Sequence, residues 1–136
     1  MICPRCQHPK TSVTNSRPRL KEASTWRRRQ CSKCALIFTS EERPALDYAV
    51  QVSTGNQTKP FSVGQLTLSI AKAFVHNPEK GTDSAYELAR SVEQQLAMLE
   101  EPLTADLIRL TTANALERYD KLAATVYAAQ HGVELA

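Results

Sequence analysis

Four cysteines are the residues of this chain best equipped for chemistry. Cys3 and Cys6 in "CPRC" are separated by two residues, Cys31 and Cys34 in "CSKC" repeat that spacing, and 24 residues lie between the pairs. Two thiolates on each tight turn, and a loop long enough to bring the turns together, are what a tetrahedral zinc ion requires. With sulfur at all four positions no coordination site is left for water, so the expected metal is structural and not catalytic. A module of ~40 residues built around such an ion folds only with it. Two competing readings are a redox dithiol, which calls for a βαβ context absent here, and a pair of disulfides, which calls for an oxidising compartment.

The elements that must carry these cysteines follow from the surrounding pattern. Residues 1–40 are polar, lack helical periodicity and are interrupted by Pro4, Pro9 and Pro18, which predicts short strands and knuckle loops. "EERPAL" reads as a connector. Beyond it Tyr48, Val50 and Val52 alternate with Ala49 and Gln51, and Ser53–Asn56 can turn the chain, so a small hairpin is expected. Helices follow. Ser62 with Gln65 has capping-box spacing, and Val63, Leu66, Ile70, Ala73 and Phe74 recur at helical intervals until Pro78 and Gly81. Ser84 with Glu87 predicts the start of a second helix, whose stripe is Ala85, Leu88, Ala89, Val92, Leu96 and Leu99. Pro102 ends it. A third helix from Thr104 turns Leu107, Ile108, Ala115 and Leu116 inward, and a fourth does the same with Leu122, Ala123, Val126 and Tyr127.

Charge divides the chain at the same place. Residues 1–47 hold ten Lys/Arg against four Asp/Glu, a net of +6, whereas residues 48–136 hold seven against ten, a net of −3. A basic module suited to a polyanion is thus joined to a mildly acidic one. No stretch approaches the ~20 apolar residues of a membrane helix. Nor does "MICPRCQHPK" contain the apolar core of a secretory signal, so a cytoplasmic protein with no membrane partner is expected.

Between the cysteine pairs runs "NSRPRLKEASTWRRRQ", with Arg17, Arg19 and Lys21 followed by Arg27, Arg28 and Arg29. Consecutive arginines on a strand project to both faces, and a module this small has no room to bury them. Their guanidinium forks suit phosphate oxygens and guanine edges; the plainer reading is a solvated basic face. Trp26 either covers the small core or stacks on a base or sugar. No catalytic constellation is visible, and no enzyme is expected. His8 stands beside an already complete ligand set and His131 has no obvious partner, so both read as ordinary surface residues.

"CPRC", "TSVTNSR", "WRRRQCSKC" and "IFTSEE" together resemble the zinc ribbon of the NrdR family of bacterial transcriptional repressors. The rest of the chain is similar to that family's ATP-cone domain. The resemblance implies an α+β protein: a zinc ribbon over residues 1–42, a linker over 43–47, and a mostly helical nucleotide-sensing and oligomerisation domain over 48–136. It implies zinc on Cys3, Cys6, Cys31 and Cys34, and double-stranded promoter DNA against Arg17, Arg27, Arg28 and Arg29. Asn15 stands where the family usually has Asp, and Trp26 where it has the first arginine of its run.

In the cone stretch "VSTGNQTKPFSVGQL", Val52, Pro60, Phe61 and Leu66 match the family scaffold, while Ser53, Thr54 and Gln65 replace its usual cations. Val52, Lys59, Phe61, Lys72 and His76 are the nucleotide-binding candidates that remain. Two readings of the cone stand: it binds ATP or dATP in an altered way, or it keeps the fold for oligomer contacts without the ligand. The implied function is repression of ribonucleotide reductase genes by a homo-oligomer whose assembly ATP and dATP control. The alternatives are a zinc-ribbon adaptor that binds protein, and an accessory of ribonucleotide reductase.

Overall fold

The computed structural model describes residues 1–47 and 49–135, and the chain divides into two compact units, Met1–Pro44 and Ala45–Ala136. Tyr48, expected in the first strand of the hairpin, lies outside the described residues.

In the first unit, β-branched and aromatic side chains at Thr11, Val13, Thr25, Trp26, Ile37 and Phe38 favour extended backbone. Three antiparallel strands result, β1 (Thr11–Arg19), β2 (Ser24–Cys31) and β3 (Ile37–Glu42), with β2 in the centre. A single 3-10 turn, Leu20–Glu22, links β1 to β2 and closes on Ala23 in the left-handed region at φ 48°. The register sets Arg17 opposite Trp26 and Arg28 between Asn15 and Thr39, with a bulge between Val13 and Asn15. The buried side chains of this unit are Cys3, Cys31 and Ser24. Trp26 is only half-buried, so it does not supply the missing apolar core.

The second unit has the apolar core that the first lacks. Leu46 is buried in it, and the Asp47 carboxylate accepts a hydrogen bond from the Val63 N–H at 2.7 Å, so the tail of the expected linker packs with this unit. A two-stranded hairpin, β4 (Gln51–Thr54) and β5 (Gln57–Pro60), turns at Gly55 and Asn56. Gly55 supplies the positive φ, 58°, that such a turn needs. Four helices follow: α1 (Val63–Lys72), α2 (Pro78–Ala97), α3 (Ala105–Tyr119) and α4 (Lys121–His131). They bury Leu66, Ile70, Phe74, Val92, Leu96, Leu116 and Tyr127 together. Ser53 N–H bonds to the Leu103 carbonyl at 3.1 Å and ties the hairpin edge to the start of α3. No helix among the described residues is long and apolar enough to cross a membrane.

Two of the three helix starts expected from the sequence agree with the structure, and the exception is instructive. Ser62 and Thr104 cap α1 and α3 by accepting from Gln65 N–H and Leu107 N–H. Helix α2, however, begins at Pro78 and not at Ser84. Asn77 caps it through Lys80 N–H at 3.1 Å, and Pro78 occupies the first helical position, where its missing N–H costs nothing. Ser84 lies within the helix, its hydroxyl 2.7 Å from that of Tyr119. Leu99 and Leu122, both expected inward, are 42% and 63% exposed. Leu99 falls past the end of α2, and Leu122 lies in the first turn of α4 on the side away from the core.

Asp120 joins α3 to α4 and holds three groups at once. Its carboxylate caps α4 through Ala123 N–H at 3.0 Å and accepts from Lys80 Nζ at 2.7 Å and His76 Nε2 at 3.2 Å. The Lys80 bond, followed by the Ala123 N–H, holds this carboxyl far below the usual carboxylate range. A depressed pKa gives stability that is fully present above about pH 4 and is lost as pH falls toward the folded value. Melting temperature measured down an acid series should therefore fall more steeply for the native chain than for Asp120→Asn, which keeps the cap and loses the charge. Asp120→Ala should cost about 1 kcal/mol through the cap alone, even at neutral pH. Parallel acid profiles for native and Asp120→Asn would show the charge to be idle.

Candidate metal centre and nucleic-acid face

Two turns of the same construction deliver the four cysteines. In the first, Gln7 N–H bonds to the Cys3 carbonyl at 2.9 Å and Cys3 N–H to the His8 carbonyl at 2.9 Å. In the second, Ala35 N–H bonds to the Cys31 carbonyl at 3.1 Å and Cys31 N–H to the Leu36 carbonyl at 2.9 Å. Gln7 and Ala35 both take the left-handed conformation, at φ 57° and 59°. That conformation is uncommon for residues with a Cβ, and its recurrence at the same place after each cysteine pair shows what the turns are shaped to do. Each presents two sulfurs to one point.

The four Sγ atoms lie within 4.8 Å of one another, with Cys3 to Cys34 and Cys6 to Cys31 both at 3.6 Å. A tetrahedron with zinc–sulfur bonds of ~2.3 Å has edges of ~3.8 Å, so the donors fit zinc in kind and in spacing. Backbone N–H groups of Lys33 and Cys34 point at Cys31 Sγ at 3.4 and 3.5 Å. The Cys34 N–H, foremost, draws the Cys31 thiol down to about 6. Cys6 has the His8 N–H on its side, yet burial and the three neighbouring thiols push it up to about 11. Four sulfurs this close cannot all ionise alone, and a divalent cation relieves that conflict by offsetting half of their charge and attracting each thiolate. The four-cysteine cluster is thus suited to one structural zinc ion, which Cys3, Cys6, Cys31 and Cys34 would hold with no position left for a reacting molecule.

The arginines expected to face DNA divide between the two faces of the ribbon's sheet. Arg27 Nη1 donates to Glu42 at 3.0 Å and Arg29 Nε to Ser40 Oγ at 2.9 Å, both side chains half-buried on one face. Arg28 is exposed on the other, its Nη1 reaching only Thr39 Oγ1 at 3.3 Å, and Arg17 is exposed on β1.

In the second unit a cavity of about 260 Å³ opens between the hairpin, α1, α3 and α4. Three of the five residues singled out for nucleotide, Val52, Lys59 and Phe61, line it together with Arg109, Tyr127 and His131. Lys72 borders a neighbouring depression that shares Gln65, Ser69 and His131. His76 is elsewhere, bonded to Asp120 and stacked on Phe74 at 5.9 Å. His131 is therefore no ordinary surface residue: its ring lies 4.2 Å from that of buried Tyr127. Burial, and then the charge of Arg109, disfavours its protonation. Arg109 and Tyr127 carry no local signal of this role, because both sit in ordinary helical patterns and reach the cavity only through the packing of α3 and α4.

Two like cysteine knuckles beside a three-stranded antiparallel sheet make the first unit a zinc ribbon, here joined to a hairpin-and-helix domain. The family model of the transcriptional repressor NrdR-like N-terminal domain matches residues 1–42. Relatives named transcriptional repressor NrdR extend the match. That of Renibacterium salmoninarum is 32% identical over 99% of this chain and 88% of its own length. That of Novosphingobium aromaticivorans is 30% identical over 90% and 77%, and that of Thermus thermophilus 30% over 98% and 88%. The chain belongs to the NrdR family, whose members are transcriptional regulators and not enzymes.

Proposed function

We propose that this protein is a zinc-dependent, DNA-binding transcriptional repressor of the cytoplasm, acting at promoters as a homo-oligomer whose assembly responds to adenine nucleotides. The observation that carries the reading is a sheet with exposed arginines beside a four-cysteine cluster, in a chain whose relatives, matched over nearly its whole length, are named as repressors. Zinc orders the sheet, and the sheet sets guanidinium groups at fixed spacing along a surface. Cations so held displace counterions from DNA phosphate, while the forks at base edges supply sequence preference. The DNA contacts of this reading come from among Arg17, Arg27, Arg28 and Arg29, and ribonucleotide reductase genes are the target that the family resemblance implies.

The ATP-cone-like domain would sense nucleotide in the cavity under the hairpin. Phe61 and Tyr127 offer it apolar and aromatic surface, and Lys59 and Arg109 are cations suited to phosphate. At about 260 Å³ the cavity is just short of the usual range for ligand pockets, which suits a base and sugar inside with phosphates on the open rim. Thr54 and Gln65, which replace cations of the family pattern, also line it. Nucleotide binding is therefore weaker than in a cone with the full set of charges, and favours the ligand whose phosphates Lys59 and Arg109 reach.

Fluorescence anisotropy of the zinc-loaded protein on DNA from upstream of its host's ribonucleotide reductase genes tests both halves. Binding in preference to scrambled DNA, altered by ATP or dATP, is expected. Preferential binding indifferent to either nucleotide would leave the cone with a purely structural role, and no preference for that DNA would overturn the repressor assignment.

A further inference from the structure

The register of the ribbon's sheet sorts its arginines between two faces. Residues directly opposite one another in antiparallel strands share a face, and alternate residues along each strand return to it. Arg17, Trp26 and Glu41 form one row across the three strands, and Asn15, Arg28 and Thr39 form the next row on the same face. Val13, Arg29 and Phe38, and Ser16, Arg27 and Ser40, belong to the opposite face.

The two faces differ in how their charge is used. Arg27 is occupied by Glu42 and Arg29 by Ser40, and both are half-buried. Across the sheet, Arg17 and Arg28 are exposed, and neither forms an ion pair among the described residues. Glu41, the acidic group of that face, is held by Arg43 at 2.7 Å and so is not aimed at either of them. Trp26 lies directly opposite Arg17 and two residues from Arg28, and it is half-buried.

Resting on the DNA-binding reading above, we infer that the face bearing Arg17, Trp26 and Arg28 lies on double-stranded DNA, with Trp26 a specificity-determining contact to base edges. Arg27 and Arg29 are positioning residues that hold β2 against β3. The side chains concerned lie on β1 and β2, an antiparallel pair of the kind the major groove admits, where arginine forks read guanine and an apolar surface suits the thymine methyl. An indole brings no charge to phosphate. Its energetic contribution is to bases, and it makes this chain's sequence preference differ from that of relatives with arginine at this position.

Trp26 is the only tryptophan of the chain, so its emission reports on this face directly. The full-length, zinc-loaded protein is titrated with the reductase-upstream duplex and with a scrambled duplex at several salt concentrations. Acrylamide quenching of Trp26 is followed alongside anisotropy. DNA is expected to shield Trp26 from acrylamide. Arg17→Ala and Arg28→Ala should each reduce the magnitude of the log–log salt slope by about 1, while Arg27→Ala and Arg29→Ala leave it unchanged. Trp26→Ala should lower discrimination between the two duplexes by about tenfold at an unchanged slope, and Trp26→Phe should recover part of it. Unchanged zinc content and circular dichroism show that each variant is folded.

Undiminished quenching of Trp26 by acrylamide, with the slope falling in Arg27→Ala and Arg29→Ala instead, would place DNA on the opposite face and overturn this inference while the DNA-binding reading survives. Failure of the native protein to bind either duplex would instead remove the reading on which the inference rests.

Discussion

Removal of zinc is expected to unfold residues 1–44 and leave the helical unit standing. In the first unit the only buried apolar side chains are Cys3 and Cys31, whereas in the second eighteen of the described residues are hydrophobic and buried in one cluster. Nothing apolar can take the ion's place in the ribbon. Structural zinc contributes about 10–16 kcal/mol in modules of this size, far more than three short strands supply by pairing. Treatment with a strong chelator, or the change Cys31→Ser, should thus abolish DNA binding, shift Trp26 emission to that of a solvated indole, and open the stretch from Met1 to Pro44 to protease. Far-ultraviolet helix signal should persist, because α1 to α4 keep their core. Retention of protease resistance in residues 1–44 after chelation would show that the cysteine cluster is not what folds the ribbon.

The change with the largest expected effect on the second unit is Gly81→Ala. A Cβ at Gly81 in α2 would lie 2.7 Å from Phe74 Cβ and 3.1 Å from the Ala71 carbonyl oxygen. Neither atom is the free end of a flexible side chain, and Phe74 is only 1% exposed, so the backbone segments themselves must separate. Overpacking of this sort costs about 3 kcal/mol, against which alanine's better helix propensity returns about 1. A net loss of about 2 kcal/mol corresponds to a fall in melting temperature on the order of 10 °C for a unit of this length. Gly64→Ala is the internal control. Its Cβ would meet only Ser62 Oγ at 3.7 Å, so propensity acts without a clash, and a neutral or stabilising result is expected. A Gly81→Ala protein as stable as the native one would mean that α1 and α2 do not approach so closely at Phe74.

Sequence spacing was sufficient for the metal site and for two helix caps, though not for Ser84, which has box spacing with Glu87 yet lies inside α2. Cys3, Cys6, Cys31 and Cys34 are legible as a metal site because a tight turn with two intervening residues aims both sulfurs to one side whatever the rest of the chain does. Ser62 and Thr104 are legible as caps because the bond each makes spans three residues. Pro78 shows the limit of such signals. Proline is excluded from helix interiors yet suits a first turn, so the same residue reads as an end or a beginning, and only the Asn77 cap and the seating of Gly81 against Phe74 choose the second.

Tertiary structure decided what depends on residues far apart in the chain. Alternation shows that Arg27, Arg28 and Arg29 must point to both faces of a strand. Which of them is free depends on pairing with β3, where Ser40 and Glu42 engage Arg29 and Arg27. His76 looked like a phosphate ligand and His131 like a bystander, because each has neighbours in sequence that say nothing of its neighbours in space. Folding bonds His76 to Asp120, 44 residues away, and brings His131 on α4 beside Arg109 on α3 and Lys59 on the hairpin. A ligand set held within one turn is encoded by spacing alone, whereas a cavity shared by a hairpin and three helices exists only once their apolar faces have packed.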